Sequence, residues 1–276
     1  MIKSLTSLRG IFILFIFFHH CHNLYAGGGT MAVAFFFVLG GFSMTLGYKD
    51  RVPKPDFSFR EYITKRCVKF YPLHWLTMLA AVPFVLLSFS KEQIPMFCIN
   101  ALLLQTWIPI ERVYFSFNWV SWYLANTMFF AVVFPFLFKW IVKATPKGKA
   151  MIAAGFALVY ALVAIFLPLE RRHAILYISP IMRLTDFVFG IILALGYLKL
   201  KELSVDRKLC MVFQIVVIAA IALLVVESCL VSESTRLIAP IYWPLVAIVI
   251  VLASLSGTAG GGYLYSRTNC CSVLAN

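Results

Sequence analysis

Charge is what this sequence has least of. Asp and Glu number 11 in 276 residues, and all charged residues together make up 13%, against about 25% in an ordinary soluble domain. So little polar surface cannot cover a water-facing globule, which excludes a soluble enzyme, a disordered tail and a collagen-like chain. The seven cysteines follow no framework spacing, so no structural disulfide is expected. Cys21, Cys210 and Cys229 sit in or beside apolar runs, where a thiol behaves as a small hydrophobe, and the adjacent Cys270 and Cys271 receive no role. Several catalytic signatures are missing. Gly40-Gly41-Phe42-Ser43-Met44 is not a Gly-x-Ser-x-Gly elbow. No Gly-rich loop closes on Lys-Ser/Thr, and no His-Glu-x-x-His occurs. With no internal repeat and no linker long enough to divide it, the chain reads as a single membrane domain, residues 1–276.

What is there is apolar: 62% hydrophobic and 16% aromatic. This predicts an all-α, polytopic transmembrane helical bundle. A span needs about 20 apolar residues, and eight stretches qualify: Leu8–Tyr25, Thr30–Tyr48, Phe70–Phe89, Ser121–Val142, Met151–Leu167, Tyr177–Leu198, Leu209–Val231 and Leu237–Leu255. Lys3 and Arg9 before Ile11–Phe18 imitate a signal peptide, but no small-x-small cleavage site follows before Tyr25, so this is read as a retained first helix. A ninth stretch, Ile94–Ile108, is shorter and carries Asn100 and Gln105.

The 24 Lys and Arg give a net charge of +13 and are confined to short segments between apolar runs. That pattern labels cytoplasmic loops and argues against a nucleic-acid partner. With the N-terminus inside and eight crossings, 18 cations fall inside, in Lys3 and Arg9, loops 49–69, 139–149 and 199–208, and Arg267. Five fall outside (Lys91, Arg112, Arg171, Arg172 and Arg236), and Arg183 stays within a span. A ninth crossing would carry the four lysines of 139–149 outside. Ile94–Ile108 is therefore expected to be re-entrant or interfacial.

Polar groups within spans are costly and so are candidates for function. Arg9 and His20 are eleven residues apart, about three helical turns, which puts them on one helix face with Arg9 at the cytoplasmic edge and His20 about halfway through. His19 points about 100° away, and His22 lies on that other face. Packing explains His19 and His22 as well as function does. Zinc is disfavoured, since His19-His20-Cys21-His22 cannot all face one ion from a helix and no matching group occurs elsewhere. Arg66 and Lys69, three apart, face one way. They fit phosphate binding or a plain topology signal with attraction to anionic lipid. Arg183 and Asp186 can pair within their span, structurally or catalytically. Asn118 and Trp122 open a span on the outer side, where an aromatic belt accounts for the tryptophan but not the asparagine.

Five elements, in order, resemble the membrane acyltransferase 3 family. The run from Ser4 to His20, with Leu8-Arg9-Gly10 and then His20, resembles its first helix, and Phe36-Phe37-Val38-Leu39-Gly40-Gly41-Phe42 its Phe-Phe-Val-Leu-Ser-Gly-Phe element with Gly40 for Ser. Arg66 to Pro72 is similar to Arg-x-x-Arg-x-x-Pro, with Lys69 in the second Arg place. Asn118 to Trp122 and then Phe134-Pro135 resemble a segment in which many members carry Glu, where this chain has Asn126-Thr127. Arg183-Leu184-Thr185-Asp186-Phe187 resembles Arg-Leu-x-Glu-Phe.

The resemblance implies an integral membrane enzyme of the bacterial plasma (inner) membrane. It would move an acyl group, commonly acetyl, from cytoplasmic acyl-CoA to a hydroxyl of an envelope carbohydrate or lipid, with no metal. Arg66, Lys69 and Arg9 would hold the CoA phosphates, and His20 would be the general base or an acyl carrier. It also implies a C-terminal helix pair beyond this chain, so the chain is expected to be C-terminally incomplete. Two rivals stand beside this reading, a transporter or flippase and an inactive subunit of a membrane complex.

Overall fold

The computed structural model describes residues 2–21, 28–86, 90–202, 207–230, 235 and 237–256. His22, Arg236, Arg267, Cys270 and Cys271 lie outside the described residues. The described residues are all-α: α1 Lys3–His20, α2 Gly28–Tyr48, α3 Phe59–Leu86, α4 Gln93–Ala101, α5 Glu111–Tyr114, α6 Ser121–Lys143, α7 Pro146–Phe166, α8 Leu169–Arg172, α9 Pro180–Leu200 and α10 Arg207–Leu230, then α11 at 243–256, entered through the turn Ala239–Tyr242. Seven of these segments are long and apolar enough to cross a membrane: α2, Phe59–Val85, α6, α7, α9, Leu209–Leu230 and Ala239–Ser256. The first expected span differs. Its described helix has 18 residues, and Lys3, Arg9, His19 and His20 dilute its apolar run.

The chain divides into two compact units, residues 1–39 with 193–276, and residues 40–192. In the first, Leu5, Leu8 and Phe12 form the buried stripe of α1 at spacings of three and four. The Phe12 ring stacks on Phe35 with centroids 3.6 Å apart. Ser4 Oγ donates to the Ala253 carbonyl at 2.6 Å and ties α1 to α11. Ile13, Leu14 and Phe17 on the other side of α1 are exposed, as suits a lipid-facing surface.

In the second unit α3 starts eleven residues before the expected span. The cationic stretch Arg60–Lys69 is therefore helical rather than loop. Tyr62 O–H donates to the Ala131 carbonyl at 2.8 Å and joins α3 to α6. Phe130, Phe134, Phe138 and Phe187 fill the core between α6 and α9, with Phe130 and Phe187 stacked at 5.0 Å. The turn from α6 to α7 is set locally. Pro146 opens α7, and the Thr145 hydroxyl caps it by accepting from Gly148 N–H at 3.0 Å. The span expected from Tyr177 starts at Pro180 instead, because His173–Ile178 forms a π-helical turn ending at Ser179.

Ile94–Ile108 does not form a spanning helix. Nine residues of α4 reach about 14 Å, half the hydrocarbon thickness of about 30 Å. The helix ends in a Schellman turn, in which Leu103 N–H bonds the Asn100 carbonyl (2.9 Å) and Leu104 N–H the Ile99 carbonyl (3.0 Å). Leu103 takes the left-handed conformation that glycine usually supplies there, at φ 58°. Burial of its side chain beside Ala125 and Met128 offsets that strain. The carbonyls of Asn100, Ala101 and Leu102 are then met in turn by α3: His74 Nε2–H at 2.9 Å, Trp75 Nε1–H at 2.9 Å and Tyr71 O–H at 3.1 Å.

Gly41 lets α2 and α9 meet backbone to backbone. A Cβ there would overlap the Phe187 carbonyl oxygen and stand 3.0 Å from Ile191 N, whereas one at Gly40 would lie 3.8 Å from the Phe187 ring, an ordinary contact. Gly41→Ala should therefore destabilise the protein by about 1–3 kcal/mol or more, and Gly40→Ala should be nearly neutral. Thermal unfolding of the two purified variants in detergent checks the contrast; equal stability would contradict it.

Candidate functional site

Arg9 and His20 stand in the first unit, and Arg66, Lys69, Asn118, Trp122, Arg183 and Asp186 in the second. Arg9 is half-buried on α1. His20 is the last residue of α1 rather than a mid-span residue, and it is exposed. Its Nδ1 lies 2.8 Å from the Ile16 carbonyl oxygen. A carbonyl only accepts, so Nδ1 carries the proton and donates, and in the neutral ring Nε2 is left with the lone pair, pointing away from the helix backbone. The His19 ring packs on Gly29, where a Cβ would stand 2.7 Å from its Cγ.

On α3 the two expected phosphate ligands differ in setting. The Arg66 guanidinium lies over the rings of Tyr48 (5.0 Å) and Tyr62 (5.4 Å). Its Nε is buried with no acceptor among the described residues. Lys69 is exposed, with its ammonium 5.5 Å from the Phe70 ring centre. A half-buried guanidinium held by aromatic walls is pre-oriented for a phosphate oxygen, so these residues fit an anionic ligand.

Arg183 and Asp186 meet as expected, Nη1 to Oδ2 at 3.0 Å, and both side chains are fully buried. Arg183 also lies over the Tyr177 ring at 5.1 Å, and Tyr177 packs on Trp122 with centroids 4.9 Å apart. The pair thus reaches α6 through Tyr177 and Trp122. On α6 the buried Asn126 donates through Nδ2 to the Ile178 carbonyl at 2.9 Å.

Asn118 belongs to a different network. Its Nδ2 donates to Thr77 Oγ1 at 3.0 Å and its carbonyl accepts from Ser121 Oγ at 2.6 Å. Ser121 Oγ in turn accepts from Gln105 Nε2 at 3.0 Å. These bonds set the entry into α6. Nearby the Tyr114 hydroxyl lies 3.2 Å from His173 Nδ1. Burial, and then the Glu111 charge, push its pKa up to about 12, so the phenol keeps its proton. Sequence reasoning missed His74, which is 1% exposed. The only signal was an imidazole inside an apolar run, and its partner is a backbone carbonyl that no motif records. Among the described residues no group of three or more His, Cys, Asp or Glu is placed to hold a metal ion.

A family model described as an acyltransferase domain matches residues 2–269. The chain belongs to the acyltransferase 3 family. It is also 27% identical over 186 residues to acyltransferase MdmB of Streptomyces mycarofaciens, an alignment covering 60% of this chain and 46% of that protein. The chain thus spans about half the length of the curated relative it matches. No solved structure matches it.

The buried polar groups of Arg183–Asp186 and His74 can be tested as scaffold. Arg183→Ala leaves Asp186 buried without its cation and should cost about 3–5 kcal/mol, while the double change Arg183→Met with Asp186→Leu should recover most of that stability. Thermal unfolding of the three proteins reads this directly; a double variant no more stable than the single one would refute a mainly electrostatic cost. His74→Phe removes the donor to Asn100 and should cost about 1–3 kcal/mol, measurable in the same assay.

Proposed function

We propose that the protein is a multi-pass acyltransferase of the bacterial plasma membrane, with its N-terminus cytoplasmic. It transfers an acyl group, acetyl in the simplest case, from acyl-CoA to a hydroxyl of an envelope carbohydrate or lipid. The observation that carries this is the family match over residues 2–269. The name of the similar Streptomyces protein, an acyltransferase, supports it. Arg66 and Lys69 bind the donor's phosphates, with Arg66 supplying the oriented fork and Lys69 a mobile charge.

His20 Nε2 takes the proton of the acceptor hydroxyl as its oxygen bonds to the thioester carbonyl carbon. The carbon–sulfur bond then breaks, and the imidazolium returns the proton to the departing thiolate. The Nδ1–H bond to the Ile16 carbonyl supports this role, since it holds the tautomer whose free nitrogen can accept a proton. The exposure of His20 also suits a group that must meet a substrate.

The deciding experiment follows label from acetyl-CoA into envelope carbohydrate and lipid, using membranes that carry the chain with and without His20→Ala. A positioned general base contributes about 10²–10⁴-fold, and the variant should lose activity by that factor at unchanged expression. Equal labelling in both would remove His20 from the chemistry. Absence of both transfer and acyl-CoA binding would favour the transporter or inactive-subunit readings.

A further inference from the structure

The recess between the end of α2 and the start of α3 has a volume of about 420 Å³, within the range of small-molecule sites, about 300–1,000 Å³. We propose that it is a nucleotide site that takes the adenosine 3′-phosphate end of the acyl-CoA donor. The inference rests on the donor reading above and assigns the part of the donor that Arg66 and Lys69 do not reach.

Four features of the recess point there. First, Tyr48 and Tyr62 line it, and the same two rings carry the Arg66 guanidinium. The recess and the proposed diphosphate ligand therefore share an aromatic partition. Second, Phe57 adds a further aromatic wall, and the Lys139 ammonium lies 5.7 Å from its ring centre. The half-buried rings of Tyr48 and Phe57 beside cations match a purine ring carrying a phosphate, because any base offers a π-face to stack.

Third, the cations divide into used and unused. Lys49 pairs with Asp50, and Lys65 with Glu61. Arg51 and Lys54, which also line the recess, are exposed and join no ion pair within 4.0 Å among the described residues, and Arg51 acts on the Glu61 carboxylate only at longer range. Arg51 presents the planar fork suited to a phosphate. Asp56 and Glu61 also line the recess and moderate the charge of Arg51, Lys54 and Lys65. The site thus favours a ligand that combines a flat ring with a phosphate over a bare polyanion.

Fourth, the loop is built rather than slack. Arg51 and Val52 N–H both bond the Tyr48 carbonyl at 3.0 Å, Lys54 N–H bonds the Arg51 carbonyl at 3.1 Å, and Phe57 N–H the Lys54 carbonyl at 3.2 Å. Val52 is fully buried beneath them. The cations therefore stand on fixed backbone, and binding would not have to order the loop first.

The test compares acetyl-CoA with 3′-dephospho-acetyl-CoA on the whole chain in lipid nanodiscs, for the wild type and for the double variant Arg51→Gln with Lys54→Gln. A charge-assisted contact to one phosphate corresponds to roughly a tenfold or larger preference. The wild type should bind acetyl-CoA about tenfold or more tighter than the dephospho form. The double variant should lose that preference by weakening acetyl-CoA alone. Unchanged affinity for the dephospho form doubles as the folding control. A wild type that binds both donors equally, or a variant that keeps the preference, overturns the inference while the donor reading stands. A wild type that binds neither donor overturns both.

Discussion

Three carbonyl oxygens decide how this chain is threaded. A helix that ends among apolar groups leaves its last carbonyls without partners, and in hydrocarbon each such orphan costs several kcal/mol. At the end of α4 the backbone N–H of Leu103 meets only the Asn100 carbonyl of the last three, and Tyr71, His74 and Trp75, all from α3, reach the carbonyls of Leu102, Asn100 and Ala101. With those met, the chain can turn at Leu103 instead of continuing as a helix. The consequence is one of parity. If α4 does not cross, α3 and α6 are consecutive crossings, and the lysines of 139–149 return to the side that carries the cations of 49–69. A non-crossing α4 and the distribution of Lys and Arg therefore demand the same threading, although one is a matter of hydrogen bonds and the other of charge.

The second unit meets the cost of its buried polar groups by pairing them within short reach. Arg183 and Asp186 neutralise each other one helical turn apart, and the Tyr177 ring covers the guanidinium. A buried ion pair of this kind contributes little net stability, because desolvation offsets most of the attraction. What it does is fix which face of α9 points inward. The same α9 lies against α2 at Gly41 so closely that no side chain fits. Rotation of α9 would both strand the ion pair and drive Phe187 into α2.

The helical architecture was legible because the period and length of apolar runs are strong signals, and seven expected spans reappear as helices long and apolar enough to cross. Their boundaries were less so. The start of α7 depends on a Thr145–Pro146 cap, the start of α9 on a π-helical turn, and the early start of α3 on a stretch whose charge reads as loop. The Arg183–Asp186 pairing could be read directly, because three residues on a helix bring two side chains together whatever else surrounds them. His74 could not, since its partner is a backbone carbonyl twenty-six residues away. Nor could the close approach at Gly41, which is set by where α9 lies and leaves in the sequence only a pair of glycines. Asn118 stood out as polar, but its bonds to Thr77 and Ser121 tie it to the start of α6.

The cations of α3 show how geometry separates a topology signal from a binding group where composition cannot. A signal for orientation needs only charge near the lipid surface, and water can surround it. Arg60 and Lys69 are exposed in that manner, and Lys65 is occupied by Glu61. Arg66 alone among them has a socket. Two tyrosine rings hold it, and one of those, Tyr62, is locked in place by its bond to Ala131 on the neighbouring helix. Ordering an arginine in this way costs side-chain entropy and removes hydration from the guanidinium, and neither improves an orientation signal. Both are the expected cost of pre-orienting a cation toward an anionic ligand. The site proposed on α3 therefore centres on Arg66, whose socket no orientation signal requires, with Lys69 as an exposed second charge one helical turn away.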